Sequence, residues 1–118
     1  MRPGSVLICD DDALLRDTLG DCLGALGWRV ATAGNGLGAV DSLAASPFDL
    51  LVSDVDMPGL SGFAVLAWAR ERVRDLPVVL MSGRADAALA QAARTAGARA
   101  LLPKPVDIGR FTSLVGTL

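Results

Sequence analysis

Three aspartates, one serine and one lysine each stand just past a short apolar run, where their side chains could act on one substrate. Asp10 and Asp11 follow the apolar run Val6-Leu7-Ile8-Cys9, and Asp54 follows Leu50-Leu51-Val52-Ser53. Ser82 follows Val78-Val79-Leu80-Met81, and Lys104 follows the run from Ala98 to Leu102. Carboxylates brought together repel, and without a counter-charge one of them would hold its proton to abnormally high pH. A hard divalent cation removes that conflict. Oxygen-only ligands with room left for water and phosphate favour Mg²⁺. Lys104 adds a compact positive charge suited to a phosphoryl oxygen, and Ser82 adds a hydroxyl donor. Such a set suits phosphoryl transfer, with a carboxylate as nucleophile and an acyl phosphate as product.

Composition narrows the alternatives. The chain has 118 residues, enough for one domain and too few for two. We therefore expect a single domain over residues 1–118, with no effector domain in this chain. The absence of histidine excludes imidazole bases and histidine-bound metals. The formal net charge of −2 argues against nucleic-acid binding driven by bulk charge. No stretch is long enough to span a membrane, and the N-terminus lacks the apolar segment of a signal peptide. Two cysteines, Cys9 and Cys22, form neither a zinc site nor a disulfide framework and read as small buried hydrophobes. A cytoplasmic location is expected.

The elements that must position these residues alternate regularly. Short apolar runs near residues 6–9, 29–32, 50–53, 78–81 and 98–102 read as strands. Helical spacing joins Leu15, Leu19, Cys22, Leu23 and Leu26, and Gly27 stops that helix. Val40, Leu43 and Ala44 mark a second helix, and Phe63, Leu66, Ala67, Arg70 and Val73 a third. Residues 86–96 are alanine-rich, and Asp107 caps a last helix carrying Ile108, Phe111, Leu114, Val115 and Leu118. Near-continuous apolar strands suit a parallel sheet covered on both faces, an α/β doubly wound fold. With strand order 2-1-3-4-5, the switch point lies between the first and third strands, where Asp10, Asp11 and Asp54 would converge.

These residues resemble the signature of the response-regulator receiver domain of two-component signalling. The resemblance is carried by Val6 to Asp12 with Leu15-Arg16, by Asp49 to Gly59, by Pro77 to Gly83, and by Gly97-Ala98 followed by Lys104-Pro105. It implies a flavodoxin-like five-stranded sheet. Asp54 would accept a phosphoryl group from the phosphohistidine of a sensor kinase or phosphotransfer protein. Asp11 would bind Mg²⁺ directly, Asp10 through water, and Asp54 and the backbone carbonyl of Asp56 would complete the set. Ser82 and Lys104 would bind phosphoryl oxygens, and the Lys104–Pro105 bond would be cis. The output face would be formed by residues 87–118, acting on an unidentified downstream target or on an effector domain absent here. A phosphorylation-dependent homodimer is one form that output could take, with Arg94, Arg99 and Asp107 available for cross-pairs. Direct nucleic-acid or membrane binding is not implied.

Two departures stand out. Receivers usually carry Phe or Tyr three residues before the lysine, where this chain has Leu101. Leucine offers no ring edge or hydroxyl, so we expect signalling to rely on movement near residues 82–96. Asp56 adds a carboxylate at the mouth, and Arg84, two residues after Ser82, could face it. Their pairing in the empty site would tune loss of the phosphoryl group by ordering the attacking water.

Other readings are weaker. Asp12 is best read as an acid favouring a helix N-terminus. Gly34-Asn35-Gly36-Leu37-Gly38 imitates a dinucleotide fingerprint, but its third glycine is missing and no second nucleotide-binding half follows. Asp54-Val55-Asp56 resembles the acid pair of haloacid-dehalogenase-type phosphatases, but lies after the third strand rather than the first. The functional alternatives are a phosphorylation-independent interaction module on the same fold and a small aspartate-nucleophile phosphatase.

Overall fold

The structure, a computed structural model, describes residues 1–118. Five strands alternate with five helices. They are β1 (Ser5–Cys9), α1 (Ala13–Ala25), β2 (Arg29–Ala33), α2 (Gly36–Ala45), β3 (Leu50–Asp54), α3 (Gly62–Arg72), β4 (Val78–Ser82), α4 (Ala87–Ala96), β5 (Ala100–Pro103) and α5 (Ile108–Thr117). All neighbouring strands are parallel, in the order β2-β1-β3-β4-β5. No helix is long and apolar enough to cross a membrane.

The apolar runs explain the layering. Every residue of β3 and β4 is buried, because helices cover both faces of these central strands. Leu7, Cys9, Leu51, Val78 and Leu80 pack with Ala39, Val65, Leu66 and Ala93 on one face, beneath α2, α3 and α4. Val6, Ile8, Val52, Val79 and Met81 pack with Leu19, Leu23, Phe111 and Val115 on the other, beneath α1 and α5. Alternation along each strand thus sends successive side chains into two separate cores. β2 is an edge strand, and its Arg29, Val30 and Thr32 are exposed.

Each helix begins at a side-chain cap. Asp12, Asn35, Ser61, Asp86 and Asp107 accept amide hydrogen bonds from the first turns of α1 to α5. Each cap contributes about 1 kcal/mol. At the other end of α4, Gly97 takes a left-handed conformation, φ 102°, that a side chain would strain. Arg70 donates to the carbonyls of Val73, Arg74 and Leu76 and to that of Gly97, tying the ends of α3 and α4 together.

Some expected packing positions differ. Leu26 caps the C-terminus of α1 and is exposed, as is Val73 after α3, because each lies where its helix has turned away from the core. Ala39, not Ala44, is the alanine α2 buries. Cys22 is only half-buried, whereas Cys9 is fully enclosed. The last strand begins at Ala100 because Ala98 and Arg99 form its entry turn, where the Arg99 amide donates to the Val78 carbonyl.

Candidate functional site

The carboxyl ends of β1, β3, β4 and β5 meet in one acidic pocket. Asp10 leaves β1 with its amide still donating to the carbonyl of Ala33 on β2, 3.1 Å away. Its Oδ1 accepts from the Asp12 amide at 2.9 Å, which closes a tight turn before α1. Asp54 and Ser82 are the last residues of β3 and β4 rather than the first loop residues. Lys104 follows Pro103, whose register partner is Ser82, and its amide donates to the Ser82 carbonyl at 3.0 Å. The Lys104–Pro105 bond is cis. Close helix packing also shapes the pocket floor. A Cβ at Gly62 would collide with the Asp54 carbonyl, so the first residue of α3 must be glycine for that helix to sit where it does.

Lys104 holds the buried half of the site. Its Nζ lies 2.8 Å from Asp10 Oδ2 and 3.0 Å from Asp54 Oδ2. Asp10 is fully buried and Asp54 is 3% exposed, so one ammonium serves two carboxylates away from solvent. Burial, with the added charge of Asp10, raises the Asp54 carboxyl above its ordinary range despite the Lys104 contact. Burial by itself would lower the Lys104 ammonium, but its two carboxylate partners outweigh that and raise it.

The same oxygens suit a cation. One carboxylate oxygen from each of Asp10, Asp11 and Asp54 lies within 4.8 Å of the others. Asp10 Oδ2, though close to the ammonium, accepts no hydrogen bond of proper geometry and so keeps a lone pair for a further positive partner. Asp11 is exposed, with no side-chain hydrogen bond tying it down. Three hard oxygens, two of them buried, fit Mg²⁺.

The exposed half lies opposite. Arg84 Nη2 is 2.8 Å from Asp56 Oδ1, with both side chains more than half in solvent. The Ser82 hydroxyl accepts from the Arg84 amide at 3.0 Å and reaches Asp56 Oδ2 at 3.4 Å. The Asp56 amide donates to Asp54 Oδ1 at 3.2 Å, which links the two halves. Leu101 is half-buried on β5, packed against the α4 side of the sheet and outside this network.

Spacing did not reveal two further groups. Arg16 donates from Nη1 to the Asp10 carbonyl at 2.8 Å. Its position, one turn beyond the Asp12 cap, is the signal that could have pointed to it. Cys9 sits under the pocket, its Sγ 3.2 Å from Met57 Sδ and 3.3 Å from the Asn35 carbonyl oxygen. Burial pushes the Cys9 thiol up to about 11, so it packs as a neutral group.

A doubly wound parallel sheet with an acidic, lysine-bearing pocket at its switch point defines a class of ligand-binding α/β domain. Within that class, the family model for the response regulator receiver domain matches residues 6–116, and the chain belongs to this family. Receiver domains are the signalling phosphoacceptors of two-component systems, and they bind Mg²⁺ in an acidic pocket. The DNA-binding transcriptional regulator NtrC of Escherichia coli K12 is 37% identical over 115 residues, covering 98% of this chain and 24% of NtrC. The transcriptional regulatory protein FixJ of Bradyrhizobium diazoefficiens is 34% identical over 112 residues, covering 95% of this chain and 55% of FixJ. The chain therefore spans about a quarter of the first relative's length and about half of the second's. The chemotaxis response regulator CheY4 of Vibrio cholerae superposes with a TM-score of 0.91 at 25% identity over 98% of both chains.

Proposed function

We propose that Asp54 accepts a phosphoryl group from the phosphohistidine of a sensor kinase or phosphotransfer protein. An Asp54 carboxylate oxygen attacks phosphorus, the P–N bond breaks, and the imidazole leaves with the electron pair and takes up a proton. The product is an acyl phosphate on Asp54. Mg²⁺, held by Asp10, Asp11, Asp54 and the Asp56 carbonyl, would offset the charge that carboxylates and phosphoryl oxygens accumulate. Lys104 turns from the Asp54 carboxylate to a phosphoryl oxygen, and Ser82 donates its hydroxyl to another. The observation that carries this reading is the placement of Asp54, 3.0 Å from the Lys104 ammonium and clustered with Asp10 and Asp11.

In dephosphorylation a water oxygen attacks phosphorus, the bond from the Asp54 oxygen to phosphorus breaks, the carboxylate leaves with the electron pair, and inorganic phosphate departs after the water gives up a proton. The exposed Arg84–Asp56 pair, 2.8 Å apart beside Ser82, would set the rate by ordering that water. Output would pass through the loop at residues 83–86 and α4, since Leu101 offers no aromatic ring to carry the signal. That same absence is the one observation favouring a phosphorylation-independent interaction module. Incubation with acetyl phosphate and Mg²⁺ distinguishes the two readings. One phosphoryl mass on the intact chain, lost in Asp54→Asn, supports the acceptor reading. No mass gain in a protein that binds Mg²⁺ contradicts it.

A further inference from the structure

We infer that Arg16 is a positioning residue for the cation site, holding the peptide that aims Asp11. This rests on the proposed role of Asp10 and Asp11 as cation ligands and goes beyond it. Arg16 stands beside a run of three aspartates yet joins none of the molecule's ion pairs. It spends its guanidinium on a main-chain oxygen instead, the carbonyl of Asp10 at 2.8 Å. That carbonyl and the Asp11 amide belong to one planar peptide unit, so fixing the first fixes the second. The amide, carbonyl and Oδ1 of Asp10 are all engaged, and Oδ2 keeps a free lone pair beside Lys104. The Asp10 amide is on Ala33, its Oδ1 receives the Asp12 amide, its Oδ2 faces Lys104, and its carbonyl takes Arg16. Asp11 has no side-chain hydrogen bond of its own, so its direction is set through this backbone.

A second observation points the same way. A Cβ on Gly34 would stand 3.2 Å from Arg16 Nη1. Gly34 does not have the positive φ that favours glycine, so space rather than conformation makes a side chain unwelcome there. The guanidinium thus lies beside Gly34 at the exit of β2 while it is bonded to Asp10 at the exit of β1. An arginine so close to a cation site also repels the cation, and this makes the sign of the effect diagnostic.

The test is Mg²⁺ titration of the whole chain followed by amide NMR shifts, with hydrogen exchange at the Asp12 amide recorded without metal. Arg16→Ala should weaken Mg²⁺ binding about tenfold, the size seen when a partner behind a ligand is lost. Arg16→Lys, which keeps one donor, should recover most of that loss. Gly34→Ala, which keeps the charge but crowds Nη1, should weaken binding by a smaller factor. Exchange at Asp12 should quicken in Arg16→Ala. If Arg16 acted only by its charge, Arg16→Ala would bind Mg²⁺ more tightly and Gly34→Ala would match the wild type; either result overturns the inference. If Arg16→Ala does not fold, Arg16→Lys and Gly34→Ala still give the reading. A wild type that binds no Mg²⁺ contradicts the proposed function instead, and exchange at Asp12 then decides the positioning claim by itself.

Discussion

Lys104 and Arg84 both pair with aspartates at one pocket, yet the two pairs differ in their surroundings. The Lys104 side chain is 22% exposed and its partners Asp10 and Asp54 are buried, whereas Arg84 and Asp56 are 72% and 52% exposed. A charge held away from water cannot lose its partner cheaply, because the remaining charge has no solvent to take over. An exposed pair exchanges partners at little cost. On the proposed phosphoacceptor reading, the buried half would hold the poise of the site, and the exposed half could vary its kinetics without endangering the fold.

Removal of the buried cation should have the largest effect. Lys104→Met leaves Asp10 and Asp54 facing each other and should cost about 3 kcal/mol at pH 7, read from urea unfolding. Because protonation of Asp54 relieves the repulsion, the cost should shrink in acid. The variant should also bind Mg²⁺ more tightly, since no ammonium competes for the same oxygens.

Asp54→Asn should change stability by less, and in the opposite direction. It removes one of the two crowded carboxylates and should raise stability by about 1 kcal/mol at pH 7 while weakening Mg²⁺ binding. The sign follows from the raised Asp54 carboxyl. Its folded state favours the proton, so its favourable contribution is complete below the unfolded carboxylate range and is lost as pH rises through the raised value. The gap between variant and wild type should therefore widen from acid to neutral pH. Lys104 is raised as well, so its contribution persists through neutral pH and fades only above the ordinary lysine value of 10.5.

The exposed half should barely move stability. Arg84→Ala and Asp56→Asn should each shift it by less than about 0.5 kcal/mol. Both should change the lifetime of the phosphorylated form, measured by loss of the phosphoryl mass over time. Unchanged lifetimes in both variants would remove the tuning role and reduce the pair to a surface contact.

The legible parts of the sequence were those with a local cause. Val78 to Met81 reads as a buried strand because each residue is apolar, and its place between β3 and β5 made that run necessary. Asp10, Asp11, Asp54 and Lys104 were legible because each ends an apolar run, and strand ends gather in a parallel sheet. Leu26 and Val73 were misplaced because helical spacing continues past the residue where a helix frays. The four carbonyl contacts of Arg70 and the single one of Arg16 were invisible, because a main-chain acceptor leaves no mark on residue type. The thiol of Cys9 reads as a small hydrophobe from composition, but only the fold shows it resting on Met57 beneath the acidic loop.

On the proposed reading, the buried half of the pocket makes Asp54 the group that takes the phosphoryl. Intact-mass measurement after incubation with acetyl phosphate, with and without Mg²⁺, tests it most directly. A single phosphoryl adduct that needs Mg²⁺, maps to Asp54 and vanishes in Asp54→Asn is the predicted result. An adduct that survives Asp54→Asn, or none in a folded protein that binds Mg²⁺, would contradict it.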